Sequence, residues 1–161
     1  IIRVADEYDA LVSKRQYKSH IGISDALKII IENTKPTPNA PLNTGFTMAG
    51  QNNKLVVKKL LKVVINDVEL EISYTMDYVK YLDKELSRFK KIDNYIQRKN
   101  SATKKNDILY YEQYIDMLLR HDESLDNFYN LYEEFREAYN LRKNILDGLY
   151  KEIKIIKSLK V

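Results

Sequence analysis

The feature that most limits the fold is a run of apolar residues in the middle of the chain. Val68, Ile72, Met76, Val79, Leu82, Leu86 and Phe89 recur at steps of four, four, three, three, four and three. A strand alternates every second residue, whereas these steps place side chains on one stripe of an α-helix. Glu69, Glu71, Asp77, Lys80, Asp83, Lys84, Glu85, Arg88, Lys90 and Lys91 fall between them and predict a charged, solvated outer face.

The helical pattern extends in both directions. Residues 55–65 are rich in β-branched side chains that would suit a strand, but Val56, Leu60, Val63 and Val64 keep helical spacing. One helix over residues 55–97 would be roughly 60 Å long at about 1.5 Å per residue. A bend is expected at Ile65, Asn66 and Asp67, since Asn and Asp side chains compete for backbone hydrogen bonds. After a polar break at residues 100–106, Ile108, Tyr111, Ile115 and Leu118 define another stripe. After His121, Asp122, Glu123 and Ser124, a last stripe holds Leu131, Phe135, Ala138, Leu141, Ile145, Leu149, Ile153 and Ile156. Gly148 interrupts it and predicts a kink or a close helix contact. The fold class is therefore all-α. Residues 67–161 should form a coiled-coil-like hairpin or three-helix extension.

Composition narrows the function. The chain is 44% hydrophobic and 31% charged, which suits a helical soluble protein rather than a disordered one. Its net charge of +4 comes from interleaved basic and acidic residues, so nucleic acid is not the expected partner. The chain lacks Cys, which excludes disulfides and thiolate metal sites and fits a reducing compartment. No apolar run is long enough to span a membrane and no signal peptide is evident; the expectation is a cytoplasmic protein. Most of the thirteen tyrosines lie among the helical stripes, as amphipathic rings at helix seams rather than a base-stacking platform. His20 and His121 have no partner at metal-ligand spacing and read as exposed turn residues.

Residues 1–66 have a different character. Residues 23–32 form a short helix, with Ser24 as the expected N-cap, Asp25 favouring the dipole's positive end, and Leu27, Ile30 and Ile31 facing inward. All three prolines, Pro36, Pro38 and Pro41, sit in one segment, and residues 35–53 predict a mobile insert. The opening stretch reads Val4-Ala5-Asp6-Glu7-Tyr8-Asp9-Ala10-Leu11 and, after a short gap, Arg15-Gln16-Tyr17-Lys18. Val4, Tyr8 and Leu11 give it a buried helical face, and Asp6 and Asp9 point to about the same side. A carboxylate beside such a face needs a cation or hydrogen-bond donors.

This opening stretch resembles the last signature of the HD-GYP family, V-A-D-x-[YF]-D-A-L followed by R-P-Y-[KR]. Those proteins are metal-dependent phosphohydrolases of the HD superfamily that hydrolyse cyclic di-GMP. Gln16 stands where the family has Pro, and Gly50-Gln51-Asn52-Asn53-Lys54 is a degraded form of its G-x-x-F-[DN]-P connection. The resemblance implies that residues 1–66 are the C-terminal part of a helical HD-type catalytic domain. It further implies Asp6 as a metal ligand, Arg15 and Lys18 as contacts to substrate phosphate, and Asp9 and Tyr17 as structural support. A His and carboxylate shell would suit divalent Fe or Mn. The family's H-D, H-H and G-Y-P signatures are not in this sequence, and the chain begins inside a predicted helix without Met. A piece of a longer phosphodiesterase, inactive alone, is the expectation. The alternative is a non-catalytic helical interaction or dimerisation module with a vestigial motif, joining a second copy or a helical partner through residues 68–161. Finding the upstream signatures would decide for the enzyme. No other catalytic arrangement is present: no nucleophile elbow, phosphate loop or H-E-x-x-H.

Overall fold

The computed structural model describes residues 2–13, 22–35 and 52–161. They form α1 (Ile2–Ser13), α2 (Ile23–Glu32), α3 (Lys54–Ser101), α4 (Lys105–Leu118) and α5 (Phe128–Ser158), with one 3-10 turn at Leu125–Asn127. Among the described residues there is no strand, so the fold is all-α. Most of the insert anticipated at 35–53 lies outside the described residues. Helix α3 is unbroken through Ile65, Asn66 and Asp67. Two compact units are present: unit 1 comprises Ile1–Ser73 and Asp147–Val161, and unit 2 comprises Tyr74–Leu146.

In unit 1, Val4, Ala26, Leu27, Ile30, Val57, Val64, Val68 and Ile156 are buried. Helix α2 contributes its expected Leu27, Ile30 and Ile31. The start of α3 buries Val57, Leu61, Val64 and Val68, whereas Val63, on the stripe that helical spacing picks out, is 63% exposed. This part of α3 is apolar on two adjacent faces, and periodicity alone does not say which one meets the core. Ser24 is not the cap of α2: Gly22 holds that position without a side-chain bond. The buried Ser24 instead donates its backbone N–H to Glu152 Oε1 of α5 at 2.5 Å. A carboxylate from far along the chain thus serves the orphan donors and positive dipole end of α2. Lys157 Nζ on α5 pairs with Glu69 at 2.6 Å.

Gly148 neither breaks α5 nor admits a neighbour closely, because a Cβ built there would meet nothing within 4 Å. Gly148→Ala should therefore stabilise the protein by about 0.5–1 kcal/mol, through a less flexible unfolded chain and better helix propensity. Thermal unfolding followed by circular dichroism should show a raised midpoint; a lowered one would mean the helix needs glycine there.

Unit 2 is built on an aromatic core of Phe89, Ile92, Ile115, Phe128 and Tyr132. The Phe89 ring lies 5.6 Å from Phe128 and from Tyr132, and 5.1 Å from Phe135. Ring pairs at such distances add to plain burial. The α3 seam is buried as its spacing predicts at Val79, Leu82 and Phe89. On α5, Leu141 is 60% exposed and Leu146 is buried instead. The inward face of α5 is centred to one side of the stripe that leucines and isoleucines alone suggest, because Phe128 and Tyr132 set it.

Two residues assigned to the charged outer face are not on it. Glu85 is only 5% exposed, and Arg88 is mostly enclosed. Arg88 Nη2 donates to Glu85 and Glu123, each at 2.7 Å, and Nη1 donates to Glu123 at 2.9 Å and to the Leu118 carbonyl at 3.1 Å. Arg120 donates to the other oxygen of Glu85. The hydrogen bond to Glu123 pushes the Arg88 pKa up, burial opposes it, and Glu85 adds to the rise. These planar, charge-assisted contacts fasten the α4–α5 connection onto α3.

Candidate functional site at helix α1

Helix α1 carries three carboxylates, and the structure treats them differently. Glu7 Oε1 accepts a hydrogen bond from Asn33 Nδ2 at 2.7 Å, and Oε2 accepts one from Asn52 Nδ2 at 3.0 Å. Asn52 is buried; its Nδ2 also donates to the Ile30 carbonyl at 3.1 Å, and its backbone N–H donates to the Asn33 carbonyl at 3.3 Å. Asn53 then accepts the Leu55 N–H on its side chain at 2.8 Å, capping the start of α3. Glu7, Asn33 and Asn52 thus clamp α1 to the end of α2 and the entry to α3. The sequence requirement that a carboxylate beside the buried face find donors is met at Glu7, a residue the motif leaves variable.

Asp6 and Asp9 are exposed and make no hydrogen bond or ion pair to a described residue. Val4 is buried, with Tyr8 and Leu11 half-buried, so the amphipathic reading of α1 holds and leaves Asp6 outside the core. Arg15, Tyr17, Lys18 and His20 lie outside the described residues. His121 sits exposed in the turn after α4.

Among the described residues no three His, Cys, Asp or Glu side chains come together to hold a metal ion. Asp6 supplies one carboxylate, which does not make a metal site by itself. Among the described residues no helix is long and apolar enough to cross a membrane. No family model, curated protein or solved structure matches the chain.

Proposed function

We propose that this chain is part of a metal-dependent phosphohydrolase resembling the HD-GYP cyclic di-GMP phosphodiesterases, acting in the cytoplasm. The observation that carries the reading is Asp6: an exposed carboxylate without a described partner, on a helix that Glu7 clamps into place. An exposed carboxylate that accepts no hydrogen bond from a described residue has lone pairs open to water and to a cation alike. A divalent Fe or Mn would supply charge neutralisation and an activated water. Asp6 would donate one ligand, with the remaining ligands supplied from outside the described residues. Arg15 and Lys18 would hold the phosphates of a cyclic dinucleotide, and Asp9 and Tyr17 would support the helix end and the turn after it.

The test is metal content and cyclic di-GMP hydrolysis by the complete protein that carries this chain, compared with its Asp6→Asn variant. Both should fall at least about tenfold, since the change removes an anionic ligand and keeps the size. Unchanged metal occupancy and rate would overturn the reading and leave a helical interaction module with a vestigial motif. The 161-residue chain alone should neither bind metal tightly nor turn over substrate.

A further inference from the structure

The start of α3 has a second apolar face that the core of unit 1 does not use. Val57, Leu61, Val64 and Val68 point inward, while Leu55 is 68% and Val63 is 63% exposed. Val4 and Ala5 of α1, with Leu55, Val56, Leu60 and Val63 of α3, line a groove of about 240 Å³ in which Lys59 is the charged residue among the described lining residues. Ala5, Leu60 and Val63 also line a second hollow of about 550 Å³, bounded by Tyr8, Asp9, Asp67 and Leu70. The shared residues make this one groove between α1 and α3. It runs along α3 from Leu55 to Leu70, about 22 Å at about 1.5 Å per residue. A helix apolar on two sides is the pattern of one packed on both.

Its charges are graded along its length. Lys59, exposed and paired with no described residue, lines one end, and α3 carries no acidic residue from 54 to 66. Asp9 and Asp67, both exposed, bound the other end. An anionic lipid surface would meet Lys59 but be repelled by the carboxylates, and a flat surface would not fill a concave groove. A helix laid into the groove meets both requirements, and four turns match its length.

We propose that the α1–α3 groove is the docking site for one amphipathic α-helix of a partner, about four turns long. That helix is apolar where it is buried, negatively charged beside Lys59 and positively charged beside Asp9 and Asp67. The proposal does not depend on the phosphohydrolase reading.

The experiment uses three fluorescein-labelled synthetic helices of about fifteen residues with one shared leucine face. One has Glu on one half and Lys on the other, one has only Glu, and one has only Lys. By fluorescence anisotropy against the 161-residue chain, the mixed-charge helix should bind about tenfold more tightly than either of the others. Val63→Asp, a surface change that should leave the helical circular dichroism intact, should abolish binding. Lys59→Glu should make the all-Lys helix the tightest of the three. Equal binding of the three helices, no binding, or indifference to Val63→Asp would overturn the proposal. So would phosphatidylserine vesicles binding in preference to the mixed helix, or self-association of the chain that Val63→Asp abolishes.

Discussion

Replacing Arg88 by Met should destabilise unit 2 by about 3–5 kcal/mol, because it leaves two enclosed carboxylates facing each other without their cation. Glu85 and Glu123 have side chains only 6% and 8% exposed, so water cannot screen the loss. The Leu118 carbonyl loses its donor at the same time. Arg120 remains beside Glu85, but its own side chain is half-exposed and it makes no contact with Glu123 that could substitute. The effect should be read locally, by hydrogen exchange of the α4 amides, whose rates should rise at least about a hundredfold. Adding Glu85→Gln and Glu123→Gln should recover a large part of the loss, since the cost lies in the uncompensated charges more than in the missing bonds. If Arg88→Met alone leaves α4 exchange unchanged, the network contributes register rather than stability.

Replacing Glu7 by Ala should cost unit 1 roughly 2–4 kcal/mol, as two part-buried hydrogen bonds to a charged acceptor disappear together. Asn33 and Asn52 would be left with amide donors turned toward an empty position. Glu7→Gln should lose less. The Asn52 Oδ1 is buried and without a partner, so a flip of that amide could accept the new Gln N–H at the expense of the bond to Ile30. The order Ala, then Gln, then Glu in urea midpoint is the expected result; a Gln variant as stable as the parent would show that charge on Glu7 is immaterial.

What the sequence makes legible here is spacing, and what it hides is partnership. The inward face of α2 follows from period alone, as does the seam from Val68 to Phe89, although Met76 and Leu86 are only half-buried. The start of α3 does not, because Val56, Leu60 and Val63 form as good a stripe as Val57, Leu61 and Val64. Ser24 looks like a cap by its position, yet the group that serves α2 is Glu152, which no local window contains. Glu85 and Arg88 read as solvated because charged residues are seldom enclosed. Partners far downstream, Glu123 for Arg88 and Arg120 for Glu85, make their burial tolerable. At the candidate site the motif singles out Asp6 and Asp9 and passes over Glu7. The residues that fix Glu7, Asn33 and Asn52, flank the proline segment and carry no signature of their own.

The bond from Ser24 to Glu152 spans 128 positions of sequence. On the ribosome, α1, α2 and the first turns of α3 emerge before unit 2, but Glu152, Ile153 and Ile156, which complete their core, are made after it. Unit 2 lies wholly between these two stretches and has all its residues in hand sooner. Domains generally fold as units once their residues are out, and distant contacts close slowly. The nascent chain should thus acquire unit 2 first and hold α1, α2 and the start of α3 open until residues 147–161 have emerged. During that interval the apolar sides of α2 and α3 are exposed to chaperones.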